Sequence, residues 1–189
     1  MATPLLNTAN QLTILRMVLA PLLVVLVLGG ELVWAIVVFA AAGITDALDG
    51  LIARWGHQKT TFGAMMDPVA DKVLLTSSFV VLTWGPNLSA RIPAWLTVTT
   101  LSRDLIIVVS VVVVNLTVGR RIFLPSLLGK VCTATQLLTV GVVLLANGLR
   151  ASWPVLAYLY WATLLLTAAS AIHYVFQAST APPKPEDLI

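Results

Sequence analysis

The stretch Thr45–Lys72, TDALDGLIARWGHQKTTFGAMMDPVADK, carries four of the eight acidic residues of a 189-residue chain. They are Asp46, Asp49, Asp67 and Asp71, and apolar sequence flanks them, VWAIVVFAAAG before and VLLTSSFVVLTW after. A carboxylate at the edge of hydrocarbon is expensive to keep, so finding one there signals function. Asp46 and Asp49 are three residues apart and Asp67 and Asp71 four apart, and both spacings put the pair on one face of an α-helix. The members of each pair are then about one turn, roughly 5 Å, from each other. Two such helices facing one another would gather four carboxylates into a small volume. There they must take up protons unless cations sit among them. Oxygen-only ligands suit Mg²⁺, Mn²⁺ or Ca²⁺ rather than zinc.

The composition explains why the stretch stands out. The chain is 59% hydrophobic and 10% charged, with a mean hydropathy of +0.96. Soluble domains carry about 25% charged residues, so this reads as an all-α integral membrane protein. The net charge of +3 comes with no basic run, and no nucleic-acid partner is expected. Cys132, the one cysteine, permits no intrachain disulfide and reads as a small core residue. No cleavable signal peptide is expected, because the first apolar run is too long and its only basic residue, Arg16, lies inside it.

In chain order, MATPLLNTANQLTILRM is amphipathic and reads as an N-terminal interfacial helix, or equally well as a segment with a direct role in binding anionic substrate. Six spans follow, at about 13–28, 32–54, 67–84, 94–118, 127–146 and 154–176. Gly29-Gly30 closes the first, and Asp46 and Asp49 lie in the last turns of the second. A polar connection, 55–66, holds His57 and Lys59. Asp67-Pro68 has the form of a helix start, aspartate as N-cap and proline at the first helical position. The fourth span contains Arg103-Asp104, and the fifth opens with Gly129, Lys130, Thr133 and Gln136. Residues 1–177 form one transmembrane domain, and the proline-rich tail 178–189 is expected to be disordered. With a cytoplasmic N-terminus, Arg54, Lys59, Arg120 and Arg121 fall on inside loops, against Arg91 and Arg150 outside. That asymmetry places the carboxylates near the cytoplasmic surface.

Taken whole, the spacing is D-x2-D-G-x2-A-R-x8-G-x3-D-x3-D, filled by Asp46, Asp49, Gly50, Ala53, Arg54, Gly63, Asp67 and Asp71. It resembles the signature of the CDP-alcohol phosphatidyltransferases, membrane enzymes that build phospholipid headgroups. The resemblance implies six transmembrane helices around a polar cavity open to the cytoplasm, in a homodimer of the bacterial inner membrane. It also implies that Asp46, Asp49, Asp67 and Asp71 hold one or two Mg²⁺ or Mn²⁺ ions. Asp49, Gly50, Ala53, Arg54, Gly63 and Asp67 would bind CDP-diacylglycerol. The small residues would let backbone approach the nucleotide, and Arg54 would offer a planar fork to phosphate. Asp71 is expected to be the general base on the acceptor hydroxyl, which requires it to be the least tightly metal-bound of the four. The plain alternative is a set of structural ion pairs with Arg54, Lys59 and Lys72. His57 reads as a solvated loop residue, and Trp84, Trp95, Trp153 and Trp161 as interface anchors.

The N-terminal NTANQLTILRMVLAP and the later GK-x2-T-x2-Q resemble the phosphatidylglycerophosphate synthase and cardiolipin synthase branch of that family. Glycerol 3-phosphate is the expected acceptor, ahead of phosphatidylglycerol, with Arg103, Asp104 and Lys130 as candidate contacts. Ser102-Arg103-Asp104 departs from the Ala-Arg-Glu usual in the first enzyme, and LIIVVSVVVV after it has no basic residue. Arg103-Asp104 reads equally well as an intramembrane pair that stabilises the bundle. Two remote alternatives are an intramembrane prenyltransferase and an ion-coupled carrier. The former normally places its Asp-rich motifs far apart in sequence, and the latter shows paired halves, of which this chain has no sign.

Overall fold

The computed structural model describes the backbone of residues 8–55, 61–117, 127–151 and 153–179, with side chains for 14–45, 70–110, 127–151, 153–174 and 176. Among the described residues the chain is all-helical, with six helices and no strand. They are α1 (Thr8–Leu28), α2 (Leu32–Trp55), α3 (Thr61–Trp84), α4 (Ala94–Thr117), α5 (Leu127–Gly148) and α6 (Val155–Ser179). The shortest has 21 residues and the longest 25, which at 1.5 Å per residue gives about 31–38 Å. Two of them, Leu127–Gly148 and Val155–Tyr174, are long and apolar enough to cross a membrane, and Ile14–Leu28 and Leu32–Thr45 are shorter apolar stretches.

Three boundaries differ from expectation. The interfacial helix and the first span are one continuous helix: α1 runs from Thr8 through Asn10 and Gln11 and past Pro21. A proline inside a helix removes one hydrogen bond, and apolar surroundings still hold the rest of the ladder, since no water competes for it. Secondly, α3 starts at Thr61, so Asp67 is not an N-cap and Pro68 is not the first helical residue. The segment TFGAMM contains helix-compatible Ala and Met, which carry the helix upstream of the proline. Thirdly, α6 reaches Ser179 and so takes in the first two residues of the expected tail. The rest of that tail, 180–189, lies outside the described residues.

The chain divides into two compact units, the first formed by the described residues of Met1–Ile92 and Val140–Trp153, the second by those of Pro93–Thr139 and Pro154–Ile189. In the first, α1 packs against both α2 and α3. Ala20 of α1, Ala42 of α2 and Leu74 of α3 form one buried cluster, flanked by Leu19; two alanines there let the helices approach closely. The turn from α1 to α2 is tight: Gly30 has φ 78°, its N–H bonds Val27 O at 3.1 Å, and Glu31 N–H bonds Leu26 O at 2.9 Å. This is a Schellman closure with glycine at the left-handed position. The end of α5 repeats it with Arg150 at φ 51°, bonding Asn147 O, while Ala151 N–H bonds Ala146 O.

In the second unit α4 packs against α6, and Trp95 and Trp161 lie ring to ring at 5.4 Å. Side-chain hydrogen bonds join α5 to α6: Thr139 to Thr163 at 2.8 Å, and Gln136 Nε2 to Thr167 Oγ1 at 3.4 Å. Beside an apolar core the structure buries polar side chains and leaves many large apolar ones exposed. Arg16, Gln136, Asn147, Thr163, Thr167 and Ser170 are buried, whereas Val25, Val33, Leu105, Leu165, Ile172 and Phe176 are exposed. Many hydroxyls also bond back to the carbonyl a turn earlier, as Ser78 does to Leu74 O and Thr83 to Phe79 O, both at 2.7 Å. An outer surface of this kind belongs against lipid.

Asn147 is the polar anchor of the first unit. Its side chain accepts from Ala90 N–H at 3.0 Å and donates to Ala90 O at 2.7 Å and Val143 O at 2.8 Å, all buried. Asn147→Ala leaves both Ala90 backbone groups without these partners, costing about 2–4 kcal/mol. The melting temperature in detergent is expected to fall by about 5 °C or more; an unchanged value would show that the loop does not depend on Asn147.

Candidate functional site

Asp46, Asp49, Gly50, Ala53 and Arg54 lie on the last turns of α2, and Gly63, Asp67 and Asp71 on the first three turns of α3. Both aspartate pairs thus fall on uninterrupted helix, with the one-turn spacing that the sequence demands. The side chains of 46–69 lie outside the described residues, as does His57. The register is fixed nevertheless by the Ala20–Ala42–Leu74 cluster. One turn further in the same direction come Arg16 on α1, Asp46 on α2 and Asp71 on α3, because α1 and α3 run opposite to α2.

Arg16 Nη1 donates to Asp71 Oδ1, across from α1 to α3. Arg16 is 1% exposed and Asp71 46%, so a sealed cation holds one side of a carboxylate that is open on the other. Among the described residues no three His, Cys, Asp or Glu side chains come together as a metal-binding group. Of the four aspartates only Asp71 has a described side chain. Four aspartates in pairs one turn apart along two helices of one unit are, as a donor set, of the kind that suits a hard divalent ion.

The contact of Arg16 with Asp71 is what sequence reasoning missed. The signal was present: a basic residue within an apolar run is costly and needs a partner. What hid it was its distance along the chain, 55 residues from Asp71.

The three candidate acceptor contacts divide. Arg103, 5% exposed, sits in mid-α4 and donates from Nη1 to Asp104 Oδ1 at 2.8 Å and from Nη2 to Ser170 Oγ at 2.7 Å. Its guanidinium also lies 5.9 Å from the centre of the Tyr174 ring, a cation–π distance. Asp104 is 14% exposed. The structure therefore brings Arg103 and Asp104 together as a pair within the second unit. Lys130, in the first turn of α5, is exposed. Cys132 is buried as expected, 3.5 Å from Thr167 Oγ1.

A family model described as CDP-alcohol phosphatidyltransferase matches residues 6–171, which take in Arg16, the four aspartates, Arg103, Asp104 and Lys130. The chain belongs to the CDP-alcohol phosphatidyltransferase family. It is thereby a transferase of phospholipid synthesis and a membrane protein. Curated relatives fall in two groups. A probable phosphatidylglycerophosphate synthase of Mycobacterium tuberculosis is 38% identical over 91% of this chain and 81% of its own length. The CDP-diacylglycerol–glycerol-3-phosphate 3-phosphatidyltransferase of Escherichia coli is 31% identical over 91% of this chain and 94% of its own. The human cardiolipin synthase (CMP-forming) is 35% identical over 87% of this chain but 59% of its own.

If Arg103 and Asp104 act on each other, removing one should harm the fold more than removing both. Asp104→Leu leaves a buried cation without its counter-charge, which costs about 3–5 kcal/mol. The double variant Arg103→Met/Asp104→Leu is expected to melt above Asp104→Leu alone. Equal or additive losses in a thermal-melt series would show that the two residues are independent.

Proposed function

We propose that this phosphatidyltransferase moves the phosphatidyl group from CDP-diacylglycerol to the hydroxyl of glycerol 3-phosphate, releasing CMP. The observation that carries the donor half is the eight-position aspartate signature lying on two helices of one compact unit, with Asp71 open on one side. The acceptor half is supported by the M. tuberculosis relative, matched over 81% of its length, against 59% for the human cardiolipin synthase.

In this reading Asp46, Asp49, Asp67 and the free side of Asp71 hold one or two Mg²⁺ or Mn²⁺ ions. When bound, these ions neutralise the pyrophosphate and stabilise charge on the departing CMP. Arg54 clasps phosphate oxygens with its planar fork. Gly50, Ala53 and Gly63 leave room for the nucleotide against the helix backbones. Asp71 takes the proton from the acceptor hydroxyl as that oxygen bonds to the phosphatidyl phosphorus. The bond from that phosphorus to the CMP oxygen breaks, and CMP leaves with the electron pair. Lys130, exposed at the start of α5, supplies the charge for the acceptor phosphate. The six helices are long enough to span a bilayer of about 30 Å. They do so around a polar cavity open to the cytoplasm, in a homodimer of the bacterial inner membrane. The excess of Arg and Lys on the loops beside the aspartates supports that orientation.

One observation favours a second acceptor, phosphatidylglycerol, which would make the protein a cardiolipin synthase. Arg103 is engaged by Asp104, Ser170 and Tyr174, which leaves the fourth helix without an open cation for a small anionic acceptor.

Product analysis separates the two. Purified protein with CDP-diacylglycerol and Mg²⁺ or Mn²⁺ is given each acceptor in parallel, and phosphatidylglycerophosphate is expected. Cardiolipin instead would overturn the acceptor, and no CMP release with either would overturn both. In the same assay Asp46→Ala, Asp49→Ala and Asp67→Ala are expected to lose turnover and metal-dependent CDP-lipid binding together. Asp71→Asn should bind CDP-diacylglycerol while turnover falls on the order of 10²–10⁴-fold. Loss of binding in that variant would contradict the role of Asp71 as base.

A further inference from the structure

We propose that the second unit binds internal water in a polar seam where α6 meets α4 and α5, at Thr100, Arg103 and Gln136. On α6, Thr163, Thr167, Ser170 and Tyr174 follow at spacings of four, three and four, which puts them on one face of the helix. Thr163 meets Thr139 at 2.8 Å, Thr167 meets Gln136 Nε2 at 3.4 Å, and Ser170 accepts from Arg103 Nη2 at 2.7 Å. The Arg103 guanidinium lies against the Tyr174 ring. Polar contacts of this kind hold helices together without any ligand. What points to a ligand is the set of atoms they leave over. Arg103 Nε, Thr100 Oγ1 and Gln136 Oε1 are buried with no hydrogen-bond partner among the described residues. Their side chains are 5%, 3% and 0% exposed.

An orphaned polar atom inside a helix bundle is costly, and three in one unit call for a common cause. Thr100 is the clearest of them. Ser78, Thr83, Thr133, Thr135 and Thr163 bond back to the carbonyl four residues earlier, and so does Thr99, its neighbour in α4. That partner is within reach of any helical threonine, yet the Thr100 hydroxyl does not use it. Thr100 lies one turn from Arg103 on the buried stripe of α4, the helix that packs on α6. The chemistry of the three atoms identifies the occupant. Arg103 Nε–H donates, Gln136 Oε1 accepts, and a hydroxyl does either. Arg103 is paired with Asp104, so the seam presents no net charge to an anion. Ser170 Oγ accepts from Arg103, which leaves its own proton to give. A small neutral molecule that both donates and accepts satisfies this set, and water buried in proteins makes two to four such bonds. The direct contact beside it is slack: Gln136 Nε2 stands 3.4 Å from Thr167 Oγ1, longer than a well-made N–H···O bond. The inference is independent of the acceptor that the enzyme uses.

Thr100→Val tests it, because valine keeps the shape and removes the hydroxyl. If water bonds that hydroxyl, the change takes away one of its partners, and the melting temperature in detergent is expected to fall by about 2–4 °C. In a dry seam the same change removes an orphaned group, so an unchanged or raised melting temperature would overturn the proposal. Thr99→Val is the control, since that hydroxyl is bonded within its own helix; an equal fall there would also count against the water. A second readout does not rely on stability. In protein carrying isotope-labelled arginine, the Nε–H resonance of Arg103 is identified by its loss in Arg103→Met/Asp104→Leu. A nuclear Overhauser cross-peak from that proton to water is expected, with the sign of close contact rather than of proton exchange. A resolved Nε–H resonance without that cross-peak would show the seam to be dry at Arg103 and overturn the site.

Discussion

Four carboxylates on two helices beside hydrocarbon cannot share a small volume unless positive charge shares it with them. On the proposed reading, that constraint orders the rest of the structure. It requires α2 and α3 to be helical through the aspartates, so that each pair keeps its one-turn spacing. It requires a rigid apolar layer next to the charges, which Ala20, Ala42 and Leu74 supply. Finally it requires cations, and the protein contributes one of its own, Arg16, buried beneath Asp71. Mutual repulsion of this kind is what makes a carboxylate cluster a receptor for divalent ions and for a pyrophosphate bound through them.

The two units manage polarity by the same means with different purposes. In the first, Asn147 ties a loop to the end of α5 by bonding both backbone groups of Ala90. In the second, Thr139, Thr163, Gln136, Thr167, Arg103 and Ser170 make a run of polar contacts among α4, α5 and α6. Helices whose outward faces are Val, Leu and Ile gain little from apolar contact with one another in lipid. Small residues and hydrogen bonds then do more of the work of holding them together.

Much of this was legible in the sequence. Five of the six helices begin within five residues of where hydropathy and turn residues place them, because Gly29-Gly30, GPNLSARIP and the loops before α5 and α6 are strong breaks. Asp46, Asp49, Asp67 and Asp71 announced themselves as charges in the wrong solvent, and the family match covers all four. The start of α3 was misread because Asp67-Pro68 carries a local capping pattern, while the six residues before it have enough helix propensity to override it. The separate interfacial helix failed for a related reason: polarity changes along α1, but nothing in it breaks the backbone. Arg16 escaped because a contact between residues so far apart is set by helix packing, which no periodicity encodes. The pairing of Arg103 with Asp104 was written in their adjacency, but the second and third contacts, Ser170 and Tyr174, were not.

The central claim is that α2 and α3 contribute to one shared cation site. Mn²⁺ titration followed by electron paramagnetic resonance tests it on the full chain in detergent with CDP-diacylglycerol present. Asp49→Asn removes a ligand from α2 and Asp67→Asn one from α3. The account predicts that either change abolishes the same tight Mn²⁺ signal. Two independent sites, each lost in only one variant, would contradict it.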